Sequence, residues 1–272
     1  MKTAFTTLAC PNLPFEDLIL LAQKCGMDAV ELRLDANDRP CGLEDAALAQ
    51  ARAFADAHGV RVCDLATGIN VKTWDEAILP RMELCARRAK ILGADGLRIF
   101  LGAGVKYFTD PISRDLDGVA KTLRAGADTV AKYGVALWLE THSDYSTGEV
   151  IKDLLARVCD TRVRVIWDAI HSIEWGESPE RTVALLGESI VHVHLKDGTR
   201  PQDPNRTAYD LCALGAGDVD FADINNCLKS IAYNGYLSLE WEQMWHPELA
   251  ECYPDTEALL AAYKGLLNTF FE

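Results

Sequence analysis

Four segments of the sequence each end an apolar run with acidic or imidazole side chains. They read LWLETH, VIWDAIH, VHVHLKD and LSLEWE, and they contain Glu140, Asp168, His194 and Glu240. Carboxylates and imidazoles are the groups that most often transfer protons in catalysis, and they also bind metal ions. These four residues are therefore the first candidates for a functional site, although any one of them alone could be a solvated strand-end residue.

The alternation of side chains along a β-strand predicts which of these residues converge. Successive side chains point to opposite faces of a strand. Three sets of residues then share a face: Trp138, Glu140 and His142; His192, His194 and Lys196; and Ser238, Glu240 and Glu242. The intervening residues are apolar, which suits a face covered by helices. We therefore expect Glu140, His194 and Glu240 to point together, with Asp168 ending its strand in a similar way.

Three carboxylates and one imidazole cannot converge in a buried site without compensation. Repulsion and desolvation would raise the pKa of the carboxylates until they became neutral. A divalent cation removes this conflict, because it needs anionic oxygens and accepts one imidazole nitrogen. The set favours Mn²⁺, with Mg²⁺ and Co²⁺ as alternatives; Zn²⁺ is also open, although it prefers more nitrogen or sulfur ligands. The predicted ligands are Glu140, Asp168, His194 and Glu240.

The elements that must position these residues recur along the whole chain. Eight short β-branched or aliphatic runs are predicted strands, at 3–8, 29–34, 60–65, 96–101, 136–142, 163–171, 190–196 and 236–242. Amphipathic stretches of helical length follow them, at 14–25, 43–58, 75–92 and 116–133 among others. Strict alternation of strands and helices indicates a parallel sheet with helices outside.

Eight such units in one chain of 272 residues predict a single (β/α)8 barrel spanning residues 1–272. In that fold the chemistry lies at the carboxyl ends of the strands, where the four candidate residues fall. A doubly wound open sheet is the alternative, but its G-x-G-x-x-G signature is missing after the first strand, which runs into LACPNLPFEDL.

The composition excludes several classes of function. The formal net charge is −14, which disfavours partners that need a basic face, such as nucleic acids and anionic membranes. The sequence has no apolar run of about 18 residues that could span a membrane. The nine cysteines are scattered without a C-x-x-C motif, so we interpret them as reduced thiols of a cytoplasmic protein.

The sequence resembles the xylose-isomerase-like barrel superfamily of sugar-phosphate isomerases and epimerases. Members typically carry E-x-H, D-x-x-H and H-x-K-D at strands five to seven, then G-x-G and G-Y-x-x-x-x-E. The corresponding residues here are Glu140-Thr141-His142, Asp168-Ala169-Ile170-His171, His194-Leu195-Lys196-Asp197, Gly215-Ala216-Gly217 and Gly235–Glu240. The resemblance covers essentially the whole chain, and the order and spacing of the motifs carry it.

The resemblance implies a metal-dependent enzyme acting on a small carbohydrate. It assigns the metal to the same four residues, and it implies that His171 and Arg200 contact substrate hydroxyls. Ketose 3-epimerases of this family use two metal-bound glutamates as acid and base, here Glu140 and Glu240. Family members are often dimers or tetramers, so self-association is a further implication.

Three reactions begin alike at such a site and stay open. An epimerase or isomerase returns the proton to carbon, whereas a dehydratase of an inosose-like or dehydroshikimate-like ketone expels a hydroxyl. Sugar epimerases of the family tend to have a second glutamate where this chain has Ser146.

A related endonuclease of abasic DNA needs further histidines that VRVCDLATG and LRIFLG lack, and the net charge of this chain is unsuitable for binding DNA.

Further polar residues are candidates for substrate contacts. His142 could bind substrate or hydrogen-bond within its loop, and Lys196 could polarise an enolate oxygen or pair with Asp197. Glu31 and Arg33 end the second strand with shared alternation. Arg33, with Arg98 in the fourth strand and Lys106 in the following loop, could capture a substrate carboxylate or phosphate or form an ion pair. We interpret His192, one layer below His194, as a core histidine. The polar segment 199–217 is predicted to be a mobile lid.

Overall fold

Eight parallel strands close into a barrel, as predicted. The structure, a computed structural model, describes residues 1–34 and 41–271. Hydrogen bonds join the strands in sequence order, and the last strand pairs with the first. The strands are β1 (Lys2–Thr6), β2 (Ala29–Arg33), β3 (Arg61–Val71), β4 (Gly96–Leu101), β5 (Ala136–Glu140), β6 (Val163–Asp168), β7 (Ile190–Leu195) and β8 (Tyr236–Leu239).

Helices connect the strands and cover the outside of the barrel. They are α1 (Phe15–Lys24), α2 (Asp45–Ala57), α3 (Leu79–Leu92), α4 (Leu116–Ala131), α5 (Gly148–Val158), α6 (Ala169–Glu174), α7 (Pro179–Leu186), α8 (Phe221–Ser230) and α9 (Thr256–Phe270). Side chains such as Asp115, Ser178 and Asp220 cap their N-termini by accepting backbone N–H bonds. None of the helices in the described ranges is long and apolar enough to cross a membrane.

Two predicted element boundaries differ from the structure for local reasons. The run 163–171 stops being a strand at Asp168, because Ala169 already begins α6. The helix predicted over 75–92 begins only at Leu79, since Asp75 caps a separate 3-10 turn over Glu76–Ile78 and a proline occupies the first turn of α3. The first of these changes matters for the site, because it places Asp168 at a strand end, where its side chain does not cap the N-terminus of α6.

A β-bulge in β3 changes which side chains enter the barrel. In its pairing with β2, Val62 lies opposite Val30 and Asp64 lies opposite Glu31, so Cys63 is an extra residue. A bulge places two residues against one and re-aims a side chain. Cys63 and Asp64 are consecutive, yet Cys63 Sγ lies 3.3 Å from Asp64 Oδ1 and both side chains are fully buried.

The segment predicted to be a lid is anchored at several points. Gly198–Thr199 pairs with Asp210–Leu211 in a short antiparallel ribbon. Within the segment, the Asn205 carbonyl accepts a bond from the Phe108 N–H at 2.8 Å, and the Thr207 N–H donates to the Lys106 carbonyl. These bonds tie the segment to the loop after β4; its movement over the site stays a prediction.

Candidate active site

The ends of strands β5 to β8 bring the four predicted ligands together. Each of Glu140, Asp168, His194 and Glu240 offers one ligand atom, and these atoms all lie within 4.8 Å of one another. His194 Nδ1 lies 3.7 Å from Glu140 Oε1, 3.4 Å from Glu240 Oε2 and 3.9 Å from Asp168 Oδ2. All four side chains are buried. The convergence expected from strand alternation is present.

Several polar atoms of this cluster have no hydrogen-bond partner. They include Glu140 Oε2, Asp168 Oδ1 and His194 Nδ1, which are shielded from solvent. Buried polar atoms are almost always paired, and an unpaired one costs about 1–3 kcal/mol. Three anionic oxygen donors and one nitrogen donor, with unpaired atoms facing one another, fit a divalent metal ion.

Two buried cations partly balance the carboxylates. Arg98 lies 3.3 Å from Glu140 Oε2 and 3.4 Å from Glu240 Oε1, and Lys196 Nζ lies 2.8 Å from Asp168 Oδ2 and 2.7 Å from Glu240 Oε2. Glu31 adds a fourth buried carboxylate to the group. The four carboxylates therefore outnumber Arg98 and Lys196, and the remaining negative charge attracts a further positive ion.

The surroundings shift the pKa of each proposed ligand. Burial opposes ionisation of both glutamates, but nearby cations outweigh it: Arg98 lowers the pKa of Glu140, and chiefly Lys196 and His194 hold the pKa of Glu240 well below its usual range. Burial raises the pKa of Asp168 to about 7. Burial also opposes charge on His194, yet the surrounding carboxylates raise its pKa well above the ordinary value, so without a metal its ring binds a proton.

Glu31 lies behind His194, whereas the sequence analysis made it a candidate for substrate contact. Its Oε2 is 2.8 Å from His194 Nε2. An ionised carboxylate can only accept a hydrogen bond, so Nε2 of His194 carries a proton. The other ring nitrogen, Nδ1, faces the cluster. Such a carboxylate fixes the ring orientation and tautomer of a metal-binding histidine. Glu31 is fully buried, and the register of β2 places it one layer inside the barrel mouth.

A cavity of about 120 Å³ opens the cluster to the mouth of the barrel. It is lined by Leu8, Arg33, Arg98, Phe100, Glu140, His142, Lys196, Glu240, Glu242 and Trp245. Five of the predicted site residues line it: Arg33, Glu140, His142, Lys196 and Glu240. His142 also hydrogen-bonds Ser143 Oγ at 2.5 Å, as its alternative role within the loop required; its contact with substrate stays a prediction. Burial lowers the pKa of His142 to about 4, which keeps its ring neutral at pH 7.

Lys196 pairs with the acids of the cluster, and the alternative pairing with Asp197 is not what the structure shows. Besides Asp168 and Glu240, its ammonium group contacts Glu242 Oε1 at 2.5 Å. Asp197 instead accepts bonds from the backbone N–H groups of Gly215 and Gly217 at 2.8 and 3.0 Å. The Lys196 side chain therefore points at the cluster of the four predicted ligands. Asp197 anchors the end of the 199–217 segment.

Of the two residues assigned to substrate by resemblance, His171 adjoins the cluster and Arg200 lies further out. His171 Nε2 is 3.4 Å from Asp168 Oδ2, and its Nδ1 is 2.7 Å from Glu174 Oε2. Arg200 is exposed, and its Nε donates to the Tyr209 hydroxyl at 2.9 Å. Glu174 in turn accepts a hydrogen bond from the Tyr209 backbone N–H. One chain of contacts therefore runs through His171, Glu174, Tyr209 and Arg200. Arg200 does not line the mouth cavity.

Two residues of the site, Glu242 and Glu174, were not among the predicted site residues. Arg98, expected as a cation near the mouth, stands in the middle of β4 and forms ion pairs with three of the acids. Glu242 shares a face with Glu240, which placed it in the mouth. Glu174 follows β6 on a helix, and its contact with His171 depends on a turn that strand alternation does not describe.

The family model described as "Xylose isomerase-like TIM barrel" matches residues 19–261. A protein of Escherichia coli (strain K12) named "Putative L-ribulose-5-phosphate 3-epimerase" is 26% identical over 257 residues, covering 88% of this chain and 87% of that protein. An inosose dehydratase of Clostridium botulinum is 28% identical over 109 residues, 36% of each chain. Alignments with three curated relatives, including this dehydratase, span only 36–46% of the relative's own length.

Solved structures share the fold. The crystal structure of an IolI protein with a bound zinc atom superposes with a TM-score of 0.79 at 18% sequence identity, and the match covers 100% of this chain and 98% of that one. At this identity the likeness concerns the fold, and it agrees with the closed barrel and the strand order described above.

Proposed function

Because this chain belongs to the xylose isomerase-like TIM barrel family, and because four ligands converge at its mouth, we propose that it is a divalent-metal-dependent isomerase or epimerase of a small keto sugar, sugar phosphate or sugar acid. The proposed metal ligands are Glu140, Asp168, His194 and Glu240, and the proposed ion is Mn²⁺. The observation that carries the proposal is this buried, mutually facing set of three carboxylates and one imidazole.

The two glutamates are the proposed acid–base pair. A bound divalent metal would act as a Lewis acid on the carbonyl of a hydroxy-ketone, which makes the neighbouring C–H group easier to deprotonate. Glu140 and Glu240 both line the mouth cavity, and they belong to strands separated by two others in the barrel order. Substrate in the cavity would therefore have a carboxylate at two of its sides. The lowered pKa of each keeps it ionised, so either glutamate can accept the proton from carbon, and the other must first take up a proton before it can return one to the opposite face.

The remaining polar groups of the mouth would orient the substrate. Lys196 presents a buried ammonium group beside Glu240, where negative charge would develop on a deprotonated ketone. His142, neutral at pH 7, offers a hydrogen bond, and His171 is held by Glu174. Arg33 gives the mouth a cation able to bind a carboxylate or phosphate of the substrate.

A dehydratase acting on an inosose-like or dehydroshikimate-like ketone is the second candidate. Two observations favour it: the relatives include an inosose dehydratase, and Ser146 stands where the sugar epimerases tend to have a second substrate-binding glutamate. Ser146 is buried, and its hydroxyl donates to the Ser143 carbonyl at 2.6 Å, so it stabilises the loop.

The test is a panel of ketoses, ketose phosphates and inososes incubated with Mn²⁺-loaded protein in deuterated water. Solvent deuterium at the carbon beside the carbonyl, without loss of water, supports the epimerase or isomerase. An enone absorbance that grows with time supports the dehydratase. Glu240→Gln should abolish either signal, whereas Glu149→Gln, which changes an exposed glutamate of α5 outside the site, should keep it. Unimpaired exchange by Glu240→Gln would contradict the acid–base assignment.

A further inference from the structure

A second group of possible metal ligands lies inside the barrel, below the mouth. Cys63, Asp64 and His192 each offer one atom, and these atoms lie within 4.8 Å of one another. All three side chains are fully buried. The bulge in β3 makes this possible, because consecutive residues of a regular strand would point to opposite faces.

The polar atoms of this group are poorly satisfied within the protein. Neither ring nitrogen of His192 has a hydrogen-bond partner of good geometry, although Glu31 Oε2 lies 3.3 Å from Nε2. Asp64 Oδ2 also has none. The Cys63 thiol donates to the Val30 carbonyl at 3.3 Å, a weak bond. A neutral imidazole always carries one N–H, which Glu31 Oε2 can accept from Nε2 of His192; the other ring nitrogen, Nδ1, then has no partner among the described residues.

We propose that Cys63, Asp64 and His192 form a second, structural metal site in the barrel interior, which takes a thiophilic divalent ion such as Zn²⁺. One thiolate, one imidazole and one carboxylate are ligands that Zn²⁺ uses in proteins. The mouth cluster has no sulfur, so the two sites differ in the ions they prefer.

Charge and proton balance are consistent with such an ion. Binding replaces the S–H proton of Cys63 by a metal–sulfur bond, and that proton leaves to solvent. Burial and the neighbouring Glu31 raise the pKa of Asp64 well above its ordinary value, so Asp64 also releases a proton to solvent when it binds as the carboxylate. Because the ligands are fully buried, the ion would enter as the chain folds, and its binding would add to the stability of the folded barrel.

The experiment uses the whole protein produced in minimal medium supplemented with Co²⁺, which replaces Zn²⁺ and reports thiolate ligation by a charge-transfer band in the near ultraviolet. We expect two metal ions per chain by elemental analysis, together with this band. Cys63→Ala should lose the band and one ion. Cys85→Ala removes another buried thiol, away from the group, and should retain both. Glu240→Gln should weaken the mouth ion and leave the band.

Other outcomes would overturn the proposal. A single ion per chain without the band shows that the interior group is empty. A band that survives Cys63→Ala shows an adventitious ion only, for example on the exposed thiol of Cys159. If Cys63→Ala fails to fold, a zinc-edge X-ray absorption spectrum of the wild-type protein decides: a sulfur in the first coordination sphere supports the site, and only nitrogen and oxygen neighbours refute it. None of these readouts depends on the reaction catalysed at the mouth.

Discussion

Glu31→Gln tests whether the carboxylate behind His194 holds the metal site together. Glutamine keeps an acceptor oxygen for His194 Nε2, which now lies 2.8 Å from Glu31 Oε2, but it removes the negative charge. A hydrogen bond to a charged group contributes about 1.5–3 kcal/mol and a neutral one about 0.5–1.5 kcal/mol. The expected loss is the difference, about 1–1.5 kcal/mol, which corresponds to roughly tenfold weaker binding of Mn²⁺.

Isothermal titration of metal-depleted protein with Mn²⁺ measures this loss directly. Glu31→Ala removes the whole bond and should weaken binding by about 10–100-fold, the range usual for the hydrogen-bond partners of metal ligands. Glu174→Gln is the matched control, because it makes the same change behind His171, which is not a proposed ligand. Its effect on Mn²⁺ affinity should be much smaller.

Stability must be followed in the same samples, since Glu31 also lies 3.5 Å from Arg98. Thermal unfolding of each metal-depleted variant separates a folding defect from a weaker site. If folded Glu31→Gln binds Mn²⁺ as tightly as the wild type, the carboxylate does not act through His194, and the reasoning from this contact is wrong.

Three further perturbations follow from the contacts of the site. Mn²⁺ affinity should rise about tenfold per pH unit between pH 7 and the raised pKa of His194, because the metal displaces its proton, and more steeply below pH 7, where Asp168 also loses a proton; titrations in buffers of different ionisation enthalpy count these protons, and a pH-independent affinity would contradict the displacement. Lys196→Met should destabilise the metal-depleted form by about 3–5 kcal/mol, since it removes the buried ammonium group that contacts both Asp168 and Glu240, and Mn²⁺ should restore more stability than in the wild type; urea unfolding with and without the metal shows whether it does. Asp197→Ala should cost about 1.5–3 kcal/mol in urea unfolding and speed proteolysis within 199–217, because that loop loses its charged acceptor; unchanged cleavage would refute the role.

The sequence predicted the fold because its signals repeat. Eight apolar runs separated by amphipathic helices predict a parallel sheet that closes on itself, with the helices outside. Burial of both strand faces makes the runs almost continuously apolar. The prediction of the four ligands depended on the same regularity. Glu140, His194 and Glu240 share a face by strict alternation, and the barrel brings the ends of neighbouring strands to one edge.

Residues outside that regularity were assigned only by the tertiary structure. Alternation placed Glu31 on an inward face, but its depth, which makes it a partner of His194, depends on the stagger of β2 against its neighbours. Cys63 and Asp64 point inward together because of a bulge that leaves no mark on the sequence pattern. Arg200 depends on the path of the 199–217 segment, which loop contacts far along the chain determine.

The amino-acid sequence by itself thus determined the barrel and the edge at which the acids and the imidazole meet. Periodic side-chain placement is a local property of each strand, and closure of the barrel converts it into one shared site. The tertiary structure alone decided which groups face the proposed metal site and which lie behind those groups. The stagger of the strands, the bulge and the loop paths arise from packing between segments that are distant in the chain.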